Sequence, residues 1–199
     1  MSKHGSPNTM IHPSACIGNA ELHGSVTVGP FCIIAFPPEK MGVYPNSPFG
    51  VKIKEGAVLT GLVTVDAGTI RHTVIGERCF LMKHSHVGHD TLLHEDVILS
   101  CGAKIGGHCI LHRGVNVGLN ASIHPRQVIA PYVMIGANSF VTKNLETKPF
   151  CIYAGNPAKF IKFNQRAVEK AGLTPAQVTE ITQNFLNGTY SQNNQGSEK

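Results

Sequence analysis

Aliphatic side chains recur every six residues over the central part of the chain. Leu, Ile or Val occupies twelve successive six-residue steps: Ile75, Leu81, Val87, Leu93, Leu99, Ile105, Leu111, Val117, Ile123, Ile129, Ile135 and Val141. A second row, four residues after each of these, is mostly small and runs from Cys79 to Leu145. Neither the 3.6-residue period of a helix nor simple alternation explains this pattern. It predicts short parallel strands joined by tight turns, with three hexads closing one triangular coil of eighteen residues.

Glycine follows the aliphatic residue in several of these hexads, at Gly76, Gly88, Gly106, Gly118 and Gly136. We expect the turns to need unusual backbone dihedrals at these positions, which glycine adopts without steric cost.

The limits of the repeat predict the organisation of the chain. We expect a flexible N-terminus, a β-helix containing an ejected loop rich in Pro and Gly, a terminating turn with C-terminal helices, and a disordered tail; the corresponding ranges are 1–10, 11–148 with loop 35–50, 149–187 and 188–199. A shorter excursion, "TIRHTV", precedes Ile75. In the last helix, Thr174 is the predicted N-cap, Pro175 the first residue and Gln177 the partner in a capping box.

The composition agrees with a repetitive backbone and argues against several classes of protein. Charged residues make up 15% of the chain, glycine occurs 21 times and tryptophan is absent. The net charge of +5 includes no Lys/Arg run, so nucleic-acid binding is not predicted. No segment has the length and apolarity of a secretion signal or a membrane span, and the six cysteines show no paired spacing. We therefore expect a cytoplasmic protein with reduced thiols.

The stretch "KHSHVGHDTLLH" carries the candidate chemistry. His89, His108 and His124 follow three hexads that are eighteen residues apart, so we expect them to line one edge of successive coils, about 5 Å apart. Histidine is the natural base near neutral pH, and the adjacent Asp90 can orient it. No Ser or Cys occupies a nucleophile motif, so a covalent enzyme intermediate is not favoured.

The hexads resemble those of the hexapeptide-repeat acyltransferases. The motifs "HSHVGHD", "AKIGGHC", "IHPRQVIAPYVMIG" and "YAGNPA…VEKAGLT" occur in the order and spacing of the UDP-N-acetylglucosamine O-acyltransferase family. The resemblance implies an all-β fold, a left-handed parallel β-helix with a short C-terminal α-helical segment. It also implies a homotrimer that moves a hydroxyacyl group from acyl carrier protein to a UDP-amino sugar, with active sites between subunits. The left hand follows from the resemblance alone, since crossovers between parallel strands are normally right-handed.

The resemblance also assigns roles to individual residues. The catalytic base corresponds to His89, its partner to Asp90 and the oxyanion-binding amide to Gly107. Substrate-binding positions correspond to His86, His108, His124, Asn164 and Lys170, and to Glu39 and Lys40 in the ejected loop. No metal and no permanently bound cofactor are expected, and the acyl donor is either acyl carrier protein or a coenzyme A thioester.

Three alternative functions stay open. The "GNPAK" segment also resembles acetyl-CoA-dependent sugar O- or N-acetyltransferases. His89 and His94 have the spacing of two zinc ligands in γ-class carbonic anhydrases, which share the β-helix. A non-catalytic scaffold is the third. We expect His84, His94 and His112 to be surface residues, with His94 and His112 paired one coil apart.

Overall fold

The computed structural model describes residues 8–38 and 47–190. Over these ranges the chain winds through three β-sheets, and each coil contributes one strand to each sheet in turn. Within the described residues, sheet A has nine strands, in spatial order β1 (Met10–Ile11), β4 (Thr27–Val28), β7 (Val58–Leu59), β10 (Phe80–Leu81), β13 (Ile98–Leu99), β16 (Asn116–Val117), β19 (Met134–Ile135), β21 (Cys151–Ala154) and β22 (Lys159–Phe163). Strand β22 is antiparallel to β21 and ends the sheet.

Sheets B and C complete the triangle. Over the same described ranges, sheet B has seven strands: β2 (Cys16–Ile17), β5 (Ile33–Phe36), β8 (Thr64–Asp66), β11 (His86–Val87), β14 (Lys104–Ile105), β17 (Ser122–Ile123) and β20 (Phe140–Val141). In that part of the chain sheet C has six: β3 (Ala20–Leu22), β6 (Val51–Ile53), β9 (Thr73–Ile75), β12 (Leu92–Leu93), β15 (Ile110–Leu111) and β18 (Val128–Ile129). The sequence order A, B, C gives three corners, which we name by the two sheets that each one joins.

Residues eighteen apart are direct neighbours in each sheet, as the repeat predicts. Leu81 pairs with Leu99 in sheet A and Val87 with Ile105 in sheet B. All twelve aliphatic residues of the first row are at most 3% exposed. The predicted period of six is therefore confirmed as the period of the core.

We expect the aliphatic row to carry the stability of the coil. Replacing Ile129, which is fully buried, with alanine should reduce the free energy of unfolding by about 2–5 kcal/mol, because methyl groups are lost and a cavity remains. The matched control is Val128→Ala in the same strand, whose side chain is 45% exposed and whose loss should cost about 0.5 kcal/mol or less. Urea unfolding measures both. Equal costs would contradict the inward assignment of the row.

The expected role of the hexad glycines is wrong. Positive φ values occur instead at the second residue of the turn, for example Asp90 (60°) and Asn120 (53°). A Cβ on Gly88 would lie 2.7 Å from the backbone nitrogen of Gly107 in the next coil. These glycines are therefore needed for the close approach of stacked coils rather than for a special dihedral.

Helices α1 (Gln165–Ala171) and α2 (Pro175–Leu186) follow the solenoid. The predicted capping box is confirmed: Thr174 Oγ1 accepts from the Gln177 amide, and the Gln177 side chain accepts from the Thr174 amide. No helix in the described part of the chain is long and apolar enough to cross a membrane.

The C-terminal segment covers part of the β-helix surface, including His112. His94 and His112 stack as predicted, with ring centroids 4.9 Å apart. His112 is only 4% exposed, however, because Phe185 and Tyr190 pack edge-on against its ring. The expectation that His112 is a surface residue is therefore wrong.

The expected limits of the N-terminus, the ejected loop and the tail can be compared with the described residues. Met10 already belongs to β1, and residues 1–7 lie outside the described residues. The first excursion leaves sheet B after Phe36 and rejoins the solenoid at Val51, and its residues 39–46 are not described. Tyr190 lies within the predicted tail but packs against α2, while residues 191–199 fall outside the described part.

Candidate active site

Four features converge on the corner between sheets B and C. The first excursion, residues 37–50, connects β5 to β6, and the second, residues 67–72, connects β8 to β9. The turns at 89–90 and 107–108 occupy the same corner in the next two coils. Stacking thus places the second excursion, together with the described end of the first at residues 47–50, beside the histidine turns, and loops on a rigid scaffold commonly carry function.

His89 and Asp90 form a hydrogen-bonded pair in the first of these turns. His89 Nδ1 lies 2.6 Å from Asp90 Oδ2, and the two side chains are 18% and 0% exposed. Backbone contacts hold the Asp90 residue in place: its amide donates to Thr73 Oγ1 and its carbonyl accepts from Arg71 Nε. The His89 side chain is therefore partly accessible, whereas the Asp90 carboxylate is enclosed.

The second excursion wraps around the Asp90 carboxylate. Oδ1 accepts hydrogen bonds from three successive backbone amides, those of Thr69 (2.8 Å), Ile70 (2.9 Å) and Arg71 (3.0 Å). Oδ2 accepts a fourth from the hydroxyl of Thr69, at 2.6 Å. Sequence reasoning did not find this clamp, because backbone amides carry no residue-specific signal. The break in the six-residue rhythm at "TIRHTV" was the only sign of it.

These contacts determine the charge of Asp90. Burial by itself would raise the pKa of this carboxyl, but hydrogen bonds from His89, Thr69 and Ile70 outweigh burial and hold the pKa well below its usual range. At neutral pH the carboxylate is ionised and can only accept hydrogen bonds. His89 Nδ1 therefore donates to this carboxylate, and in the neutral form of the ring Nε2 is the nitrogen that has a lone pair, as a general base requires.

His108 approaches the same carboxylate from the next coil. Its ring lies edge-on to that of His89, with centroids 4.7 Å apart, and its Nδ1 is 3.6 Å from Asp90 Oδ2. Burial lowers the pKa of His108; the charge of Asp90 opposes this shift, and Arg126, His89 and Arg71 add to it. His108 is thus a neutral hydrogen-bonding group at neutral pH.

Gly107 lies directly against the His89 ring. A Cβ at this position would be 2.8 Å from His89 Nε2, so any side chain would crowd this nitrogen. The Gly107 amide donates to no acceptor among the described residues and is available to a ligand. This geometry agrees with the predicted role of the amide.

Two other predicted histidines lie near this corner without joining the pair. His124 follows β17 at the same corner, but its Nδ1 lies 3.0 Å from the Pro125 carbonyl oxygen. His124 directly follows the aliphatic residue Ile123, whereas His89 is two residues after Val87. The ring contact in the described chain therefore joins His89 to His108 and does not include His124. His86 lies on sheet B, with Nδ1 2.8 Å from the hydroxyl of Thr64. It borders an open groove of about 580 Å³ that includes Phe36, Leu62, Asp66 and Lys104.

The remaining predicted site residues lie elsewhere or outside the described ranges. Asn164 is the N-cap of α1, where its side chain accepts from the Ala167 amide and donates to the Tyr132 carbonyl at the corner between sheets C and A. Lys170 is exposed in the last turn of α1. Within one chain, neither contacts the His89 corner. Glu39 and Lys40 lie outside the described residues.

The zinc hypothesis can be tested against the donor atoms. His94 stacks on His112 at the corner between sheets C and A, so His89 and His94 do not converge within the chain. Ligand atoms of His89, Asp90 and His108 do lie within 4.8 Å of one another. Asp90, however, already accepts five hydrogen bonds, four of them from the clamp. A metal would displace these bonds, so the donor set fits proton transfer better than metal binding.

Part of the chain matches a known protein family. The family described as bacterial transferase hexapeptide (six repeats) matches residues 72–107. With three sheets around one aliphatic core, the described chain belongs to the class of left-handed parallel β-helix proteins, and the predicted hand of the fold is confirmed.

Within that class the chain is similar to UDP-N-acetylglucosamine acyltransferases. It is 31% identical over 101 residues to acyl-[acyl-carrier-protein]–UDP-N-acetylglucosamine O-acyltransferase of Thermodesulfovibrio yellowstonii, a match that covers 49% of this chain and 39% of the relative. The crystal structure of UDP-N-acetylglucosamine acyltransferase from Bacteroides fragilis 9343 superposes with a TM-score of 0.73 at 21% identity, covering 90% and 82% of the two chains. The enzyme from Campylobacter jejuni gives 0.74 at 22% identity, covering 92% and 83%. The two structures establish the likeness in fold.

Proposed function

We propose that the chain is an acyltransferase that moves a hydroxyacyl group from acyl carrier protein to a hydroxyl or amine of a UDP-amino sugar. The observation that carries this proposal is the His89–Asp90 pair, whose free Nε2 faces the unoccupied side of Gly107. The names of the similar proteins supply the substrate class. The match spans 39% of the length of the Thermodesulfovibrio yellowstonii relative.

The proposed reaction is direct acyl transfer. His89 Nε2 removes the proton from the acceptor hydroxyl, whose oxygen attacks the thioester carbonyl. The Gly107 amide donates to the oxygen of the tetrahedral intermediate, and Asp90 stabilises the imidazolium that forms. Collapse of the intermediate breaks the carbon–sulfur bond, and the imidazolium returns its proton to the leaving thiolate. Atoms and charge balance without a metal or a redox cofactor.

The surroundings of the pair support a site that is completed by assembly. His89 is 18% exposed in the single chain. Ile33, Phe36 and Leu62, all at least 40% exposed, lie together along the sheet B groove. Closure of a homotrimer would bury such apolar side chains and enclose the base. The first excursion, with Glu39 and Lys40, would then contact the acceptor, and His86, His108 and His124 would line the substrate path.

Donor profiling tests the proposal. Purified protein is incubated with UDP-N-acetylglucosamine and either hydroxyacyl-acyl carrier protein or acetyl-CoA, and the acylated sugar nucleotide is quantified by mass spectrometry. We expect turnover with the acyl carrier protein donor and none above background with acetyl-CoA. The reverse pattern would make the chain an acetyl-CoA-dependent acetyltransferase, and turnover with neither donor would contradict the proposal. The cytoplasmic location stays a prediction, with which six free thiols agree.

A further inference from the structure

We propose that Thr69 is a positioning residue that directs the Asp90 carboxylate toward His89 and away from His108. This inference rests on the proposed function, because it concerns the same base.

Two imidazoles compete for one carboxylate oxygen. Asp90 Oδ2 lies 2.6 Å from His89 Nδ1 and 3.6 Å from His108 Nδ1, so a small movement would exchange one partner for the other. The Thr69 hydroxyl donates to this same oxygen at 2.6 Å. Apart from the two imidazoles, the Thr69 hydroxyl is the group in the described chain that contacts Oδ2, while the three backbone amides contact only Oδ1.

The loop that carries Thr69 is firmly anchored on its other side. Ser47 Oγ donates to the Gly68 carbonyl at 2.8 Å, and the Gly50 amide donates to His72 Nδ1 at 3.0 Å. A Cβ on Gly68 would lie 1.7 Å from the Arg71 carbonyl oxygen, so the loop is as tight as glycine permits. These contacts fix the loop and therefore the orientation of the Thr69 hydroxyl.

The charges around Asp90 and His108 predict how removal of the Thr69 hydroxyl changes the two histidines. His108 is in the field of Asp90, Arg126, His89 and Arg71. Without Thr69 Oγ1, the carboxylate can turn toward His108. The pKa of His108 should rise, because an anion favours the imidazolium form, and His89 should lose the partner that sets its tautomer.

The test compares Thr69→Val, which removes the hydroxyl at nearly constant volume, with Thr69→Ser, which keeps it. Thr60→Val, at the corner between sheets A and B, is the matched control. We expect Thr69→Val to lower kcat by about 10- to 100-fold at unchanged KM for the acceptor, and the other two variants to stay close to wild type. By NMR, Thr69→Val alone should raise the pKa of His108 and weaken the downfield Nδ1 proton signal of His89.

The outcomes separate this proposal from the proposed function. Wild-type kcat in Thr69→Val, or equal loss in the Ser and Val variants without change in either histidine titration, would overturn the positioning role. Absence of turnover in the wild type would contradict the proposed function only. In that case the histidine titrations still decide whether Thr69 directs the carboxylate.

Discussion

Replacing His89 with glutamine is expected to lower kcat by about 10²–10⁴-fold, the usual contribution of a general base. Glutamine retains a polar group that can contact Asp90 but has no nitrogen that accepts a proton at neutral pH. Because the His89 side chain is partly exposed, the coil should tolerate the change. Steady-state kinetics measure the loss, and the melting temperature and sedimentation behaviour should match those of the wild type.

The matched control for this substitution is His23→Gln. The His23 side chain is 46% exposed after β3, at the corner between sheets C and A and away from the sheet B groove. Its replacement should leave kcat unchanged. Stoichiometric zinc in the wild type that is lost with His89 would instead indicate a metal site and would contradict the general-base role.

Replacing Asp90 with asparagine should lower kcat by about 10³–10⁴-fold although the shape of the side chain is conserved. The amide oxygen can still accept from the three loop amides at the Oδ1 position. The amide nitrogen then takes the place of Oδ2 and meets two donors, His89 Nδ1–H and the hydroxyl of Thr69. His89 relieves this conflict by shifting its proton to Nε2, and the nitrogen that should act as the base is then no longer free.

The same variant should change the pH dependence of stability. The pKa of Asp90 is lower in the folded chain than the ordinary value of 3.8. The ionised carboxylate therefore stabilises the fold above about pH 4, and this contribution disappears as the pH falls through the folded pKa. Urea unfolding of wild type and Asp90→Asn should show the largest gap in the free energy of unfolding near pH 7 and a smaller gap below pH 4. A gap that does not vary with pH would show that the charge of Asp90 is not stabilising.

Most of the fold was predictable from local regularity. A core built from one aliphatic residue every six positions repeats the same contact in every coil, so its period is visible without knowledge of the tertiary structure. The capping box at Thr174 is equally local, because its two partners are three residues apart. His89 was predictable because a motif and the phase of the repeat point to the same position.

What the sequence by itself determined is thus the coil, its phase and the identity of the His89–Asp90 pair. The tertiary structure alone decided which groups hold that pair. The clamp consists of backbone amides and one hydroxyl about twenty residues away, and they reach Asp90 only because a braced loop folds over the next coil. Tertiary structure likewise decided that Gly107 leaves room for the His89 ring and that His112 is covered by the C-terminal segment. The physical reason is the same in each case: stacking distance and loop path depend on the assembled coils, whereas periodicity and capping depend only on near neighbours in the chain.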